Sequence, residues 1–493
     1  MQFFLDKASY RKVKLLKLLD SQSDWWTSSQ LANELGCSER ALHTSLHTLA
    51  SELKREFEQA GIEVNQRRGV RLNKAPNVFL HSYALHQLKK SPMFQLCHQM
   101  FQEDVTSLEN FSESAFMSKS SLSRGIRKLK PLLDSYRLRL ETRQAVLVGE
   151  EHQIRYFYFK FYWNAFKGEE WPFTFVEREE LLDVVVLFEK ALNTTFSCSQ
   201  SEQILYHLAI ARSRAGLNPE GRTPFVDVPY AYDHPLIEKA KEAIEGALTT
   251  FPSPERWYEQ SFLESLLIAH PFFEKETPML RQVLFHHWDS HSLPWQRSVQ
   301  IFPVLSLSFK RNPPVESALL LGNLLQFHCH LDLFQGQNFM ILDDSLLDST
   351  AEEGSTVLKT LSTICEEMFP LETHGPLYKR KDEIILTYMA LIDTYVDVSQ
   401  LEPLIHIRII SSGGTVLENQ IAKKLEEERA FNIRNVKSRT QEEPVDLIVT
   451  DRMDESRRFP APVFFWSSCP TSNEWERLKK ELAKIGEEKQ GGG

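Results

Sequence analysis

Between Ser118 and Lys130 the chain reads SKSSLSRGIRKLK, and Leu122, Ile126, Leu129 and Leu133 recur at the spacing of a single apolar helix stripe. Lys119, Ser120, Ser123, Arg124, Arg127 and Lys128 are left facing outward. Ser118 or Ser120 caps the start, where the first turn offers the positive end of the helix dipole to an anion. Hydroxyls in front and cations behind suit a DNA groove. Pro131 predicts an early end to the regular helix. Upstream, RKVKLLKLLD (11–20) has helical periodicity and Trp25 and Trp26 follow in a turn. Ser28 or Ser29 caps SQLANELG, closed by Gly36, and Ser38 caps a longer helix closed by Gly61. In that longer helix Leu42, Leu46, Leu49, Leu53 and Phe57 form the stripe, while Arg40, His43, Thr44, His47 and Thr48 point away. IEVNQRRGVRLNK then alternates around Arg67, Arg68 and Gly69, as a two-stranded hairpin does. Helices joined by a tight turn and followed by a basic hairpin make a winged helix-turn-helix over residues 1–75.

The pattern recurs over 76–153. Residues 78–102 are helical, Phe111–Met117 is a short positioning helix, Ser118–Lys130 takes the recognition place, and Arg137–Leu140 with Ala145–Val148 forms a second wing around Arg143 and Gln144. FYFKFYWNAF then lies in a connecting helix, residues 154–170, whose aromatic rings pack rather than bind bases. The next stretch alternates helices with Pro-rich turns and divides into two parts of similar layout, 171–287 and 288–398. The last part, 403–486, changes character. Leu404–Ile410, Val445–Thr450 and Val463–Trp466 read as strands, SSGGT as a glycine turn, and Val416–Arg429 and Glu474–Ile485 as helices. Residues 487–493 read as a flexible tail. The expected fold class is mainly α and multidomain, closed by a small α/β domain.

Composition adds location and charge. Of 493 residues, 42% are hydrophobic and 25% charged, the balance of a globular protein. No window approaches a membrane span, and the N-terminal residues lack the basic head and apolar run of an export signal. The six cysteines are scattered without a CxxC pair, which fits a reducing cytoplasm and argues against zinc or a disulfide framework. The net charge of -10 conceals an asymmetry: residues 1–150 hold 22 Lys+Arg against 16 Asp+Glu, and the remainder 35 against 51. A basic head on an acidic body suits contact with nucleic acid at one end.

The order of parts, from two winged helices through two helical repeats to a small α/β domain, resembles the Mga/AtxA-like family of virulence regulators. The resemblance implies transcriptional regulation at double-stranded promoter DNA, helical repeats that are all-α phosphotransferase-system regulation domains, and a IIB-like last domain. It also implies homodimers in which the C-terminal domain takes part, and phosphorylation by phosphocarrier proteins of the sugar phosphotransferase system. ILYHLAIARSR carries the best local match, with His207, Leu208, Ala211 and Arg214 in corresponding places and Tyr206 where the family pattern has an acid. His207 is thereby the leading phosphoacceptor, followed by His270 in LESLLIAH and His328, beside His330, in LLQFHCHL. Histidine suits the role because its neutral imidazole is nucleophilic near neutral pH, and phosphate adds almost two negative charges. DEIILTYMALI holds no histidine, and His374 lies in a Gly-Pro turn. Neither His328 with His330 nor His286, His287 and His291 has partners at metal-ligand spacing. Where a working IIB turn has a nucleophilic cysteine, this chain has Ser411-Ser412-Gly413-Gly414-Thr415, whose amides could cradle an anion but whose serines have no base. No enzymatic activity or cofactor is therefore expected. The alternatives are an RNA-binding antiterminator with the same regulation domains, and a phosphocarrier of sugar uptake.

Overall fold

A computed structural model describes residues 1–57, 59–105, 107–217, 221–222, 229–251, 255–270, 273–302, 317–336, 356–396, 402–426, 431–436, 444–453 and 461–491. The chain divides into two compact units. One comprises Met1–Pro224, Ala240–Leu263 and Phe334–Ile341, and the other Phe225–Lys239, Glu264–Leu333 and Leu342–Gly493.

In the first unit, α1 (Lys7–Asp20), α2 (Ser28–Glu34) and α3 (Glu39–Glu56) precede an antiparallel hairpin of β1 (Ala60–Asn65) and β2 (Gly69–Lys74). Trp26, expected in a turn, instead exchanges both backbone hydrogen bonds with Val70 at 2.8 Å and so extends the hairpin. Gly69 allows this approach: its φ is +108°, and a Cβ there would lie 2.0 Å from the Trp26 carbonyl oxygen. The expected helix over 78–102 is two helices, α4 (His81–Lys90) and α5 (Pro92–Phe101), divided at Ser91 because Pro92 favours a first helical position and disfavours a helical residue before it. After them come α6 (Leu108–Ser114), α7 (Lys119–Ser135), and the hairpin of β3 (Arg139–Glu141) and β4 (Val146–Val148). Pro131 does not end α7. It is exposed whereas Leu129, Leu132 and Leu133 are buried, so the lost backbone bond falls on the solvent side while packing holds the helix across it.

Helix α8 (Glu151–Phe166) is buried almost all round, as a helix apolar on every face must be. Phe161 stacks on Phe94 at 4.4 Å between centroids, and Tyr158 meets Phe101 edge-on at 4.7 Å. The aromatic run therefore packs, as the sequence indicates. Helices α9 (Arg178–Leu192), α10 (Cys198–Ser213), α11 (Pro235–Leu248) and α12 (Arg256–Ala269) follow. A buried ionic network holds α8. Arg155 pairs with both carboxylate oxygens of Glu259 at 2.7 and 2.9 Å and with Glu151 at 3.1 Å, and Arg214 clamps Glu151 from the end of α10 at 2.7 and 2.8 Å. Each charge sits opposite another, which the desolvation cost requires.

The second unit holds α13 (Pro278–Asp289), α14 (Leu293–Gln300), α15 (Ser317–Leu333), α16 (Thr356–Met368), α17 (Leu371–Tyr378) and α18 (Lys381–Tyr395). Leu324, Leu361, Phe369, Ile384, Tyr388 and Ile392 are among the buried residues of its helical core. The tautomers of a buried histidine pair follow from the partners. The Leu236 amide donates to His234 Nδ1, so His234 Nε2 carries the proton and donates to His287 Nε2 at 3.2 Å; His287 Nδ1 then donates to Ser292 Oγ at 2.7 Å.

The chain closes with a four-stranded parallel sheet of β5 (Leu404–Ile410), β6 (Asn432–Asn435), β7 (Leu447–Thr450) and β8 (Val463–Phe465), in the spatial order β6-β5-β7-β8. Ile405, Ile407, Ile409, Leu447 and Val449 pack with residues of α19 (Thr415–Glu426) and α20 (Ser472–Gly491), the alternating architecture expected. Residues 427–429 of the expected first helix lie outside the described residues. α20 runs through Gly491, so residues 487–491 are helix rather than a flexible tail. Glu487 pairs with Lys359 at 2.6 Å, and Lys489 with Asp446 at 2.6 Å.

Candidate nucleic-acid interface

The two helix-turn-helix segments superpose residue on residue along the sequence. Thr27, rather than the expected Ser28 or Ser29, and Ser107 cap the positioning helices α2 and α6, accepting amides of Gln30 and Asn110. Ser38 and Ser118 cap α3 and α7, accepting amides of Ala41 and Ser121 at 3.4 and 3.2 Å. Leu31 and Phe111, Leu42 and Leu122, Leu49 and Leu129, and Leu53 and Leu133 are buried pairs at one constant offset. A duplicated pattern of caps and apolar positions folds into a duplicated motif because each helix has one face it must bury.

The opposite faces carry the candidate contacts. Arg40, His43, Thr44 and His47 are exposed on α3, and Lys119, Ser120, Ser123, Arg124, Arg127 and Lys128 on α7. They are not equally available. Lys119 pairs with Glu109 at 2.7 Å, Thr44 gives its hydroxyl proton to the Arg40 carbonyl, and Arg124 makes a 3.3 Å bond to Ser121 Oγ. Lys128 departs most from expectation: its ammonium donates to the Leu5 carbonyl at 2.8 Å, and burial pushes its pKa down. Among the described residues Arg40 and Arg127 have no side-chain partner, which leaves them free to meet phosphate. At the first wing tip the Asn65 side chain accepts the amides of Arg67 and Arg68 at 2.9 and 3.1 Å, an Asx turn that presents both exposed guanidinium groups. Arg143 is similarly exposed on the second wing.

The three candidate phosphoacceptors lie in different settings. His207, on α10, is 4% exposed and stacks on Phe159 of α8 at 3.8 Å between ring centroids. His270, half-buried, directly follows α12. His328 is fully buried on α15. Ser298 Oγ gives its proton to the Pro294 carbonyl, so His328 Nδ1 donates to Ser298 at 2.8 Å while Nε2 accepts from Tyr388 at 2.7 Å. Burial, assisted by Arg297, pushes the His328 pKa down to about 3. The described residues include no group of three His, Cys, Asp or Glu able to hold a metal, and no helix among them is long and apolar enough to cross a membrane.

The C-terminal glycine turn is filled from within. Ser412 donates through both its amide and its hydroxyl to Asp451, at 2.7 and 2.6 Å, and the Ser411 hydroxyl reaches the same carboxylate at 3.3 Å. The Ser411 amide goes to Glu418 and the Gly413 amide to Ser411 Oγ. Burial raises the Asp451 pKa, but hydrogen bonds from Ser412, Ser468 and Ser411 together outweigh it and hold the carboxylate below its usual range. An anion cradle is thus formed, and the protein's own carboxylate occupies it.

Fold and exposed helix faces together define a helix-turn-helix protein. Residues 77–162 match the Mga helix-turn-helix domain, a stretch that takes in α4, α5, α6, α7, the β3–β4 hairpin and most of α8. The chain is similar to the capsule synthesis positive regulators AcpA and AcpB of Bacillus anthracis, 23% and 18% identical over 210 residues, and to the anthrax toxin expression trans-acting positive regulator of the same organism, 22% identical over 211 residues. Each match spans 43% of this chain and 43% of the relative. In this domain and over this part of its length the chain resembles the Mga/AtxA-like regulators. The sequence pattern located α3 and α7 with their exposed faces, but it could not foresee that the Leu5 carbonyl engages Lys128 or that Asp451 fills the glycine turn, since both depend on residues remote in the chain.

Proposed function

We propose that this protein is a DNA-binding transcriptional regulator whose two recognition helices engage double-stranded promoter DNA. The observation that carries the reading is the exposed basic face of α7, set on the buried stripe of its own module within the matched domain. Names of the relatives, as positive regulators of capsule synthesis and toxin expression, support the same class of activity. Phosphate contacts supply much of the affinity, so binding to duplex DNA falls steeply with salt. A mobility-shift titration over salt tests this, and no retardation of any duplex at low salt would sink it.

Control runs through histidine phosphorylation by phosphocarrier proteins. His270 is the most accessible acceptor. His207 becomes available when the Phe159 stack opens, and His328 ranks last because both its ring nitrogens are engaged. A phosphoryl group on His207 could not stay against Phe159, so α10 would separate from α8, which directly follows the second wing. Homodimerisation uses the C-terminal domain, where Val416, Met453 and Phe465 are exposed. Mass spectrometry after incubation with phosphorylated carrier, comparing wild type with His207→Ala and His270→Ala, identifies the acceptor.

A further inference from the structure

Phe116 lies in the turn between α6 and α7, two positions before the Ser118 cap, with φ +52° and a side chain that is 98% exposed. The equivalent turn of the first module holds Gly36 at φ +57°. The same backbone bonds close both turns. Gly36 and Phe116 donate to Asn33 and Glu113 at 3.0 and 3.1 Å, and Cys37 and Met117 donate to Ala32 and Ser112 at 2.9 Å. Glycine takes this left-handed conformation freely, whereas a bulky residue strains it. An exposed ring recovers nothing by burial, so within the fold Phe116 costs stability without return.

The surroundings say what covers the ring. No other large apolar side chain of α6 or α7 is exposed, so the ring stands alone on these two helices. The neighbouring exposed groups are Lys119, Ser120, Ser123 and Arg124. The major groove presents a single apolar group, the thymine C5-methyl, beside its hydrogen-bonding edges and phosphates. We infer that Phe116 is a specificity-determining residue whose ring packs on a thymine methyl at the mouth of the groove that α7 enters; the inference rests on the DNA-binding reading above.

The test uses the full chain and a duplex that the wild-type protein selects from a random library. F116A should weaken binding roughly fourfold, the worth of one buried methyl. Replacing one thymine of the duplex by uracil should weaken wild-type binding by the same factor and have no further effect on F116A. F116G, which also removes the strain, should raise Tm while weakening binding, a pairing of signs that a structural role does not produce. Equal affinity of F116A and wild type would overturn the assignment while DNA binding stands, and point to a protein contact. Failure of the wild type to select any duplex would overturn both readings.

Discussion

Arg124 and Arg127 show how exposure and function separate at the level of single side chains. Both are exposed on α7 away from its buried leucines, so replacing both with alanine should leave Tm within a degree or two while lowering DNA affinity. If each meets one phosphate, the slope of log affinity against log salt should become shallower by about 1.8; an unchanged slope would remove them from the interface. The buried histidines act oppositely. Burial, with neighbouring His286, pushes His287 down to about 3, burial does the same to His328, and His234 is also lowered by burial and by His287. These rings are neutral when folded and protonate near pH 6.5 when unfolded, so the unfolded chain binds more protons below that pH. Stability is fully present above about pH 6.5 and falls as pH drops towards the folded values, by up to ~1.4 kcal/mol per pH unit for each histidine. Urea midpoints at pH 7 and 5 check this, and His328→Gln should flatten the dependence.

Elements explain which local rules the fold overrides. The Pro131 rule fails in α7 because leucines on both sides of the proline are buried, so tertiary packing outweighs one lost backbone bond. The aromatic sequence of α8 forms a helix because neighbouring elements bury all its faces, and Arg155 is admitted to that interior only with Glu151 and Glu259 beside it. Glu259→Gln should cost ~3–5 kcal/mol by leaving Arg155 partly unpaired, more than replacing Arg155 and Glu259 together with apolar residues of similar size. Denaturation of the single and double variants decides it; a single variant as stable as wild type would refute the account. In the first wing, Gly69→Ala should lower Tm and loosen the Trp26–Val70 pairing, seen as faster amide exchange at Val70.

For the whole molecule, a chain with net charge -10 binds polyanions only if its cations are segregated, and residues 1–150 carry the basic excess. Moderate salt should therefore abolish non-specific DNA binding, with little affinity left outside the two winged modules. The two compact units are each built from segments separated along the chain: the first takes in Ala240–Leu263, and the second takes in Phe225–Lys239. Periodicity marks where helices begin and end but not which of them share a core, because that depends on partners far away in sequence.

Local pattern alone determined the duplicated helix-turn-helix, its buried leucines and its exposed basic face, since helix period, serine caps and hairpin alternation are short-range effects. The alternating strands and helices at the C-terminus were legible for the same reason. Only the tertiary structure decided which of those basic residues remain free. The carbonyl of Leu5 takes Lys128, Glu109 takes Lys119, and Asp451 fills the glycine turn. It likewise decided that Phe116 stays in water on a strained backbone, because exposure is settled by what the rest of the chain does not cover.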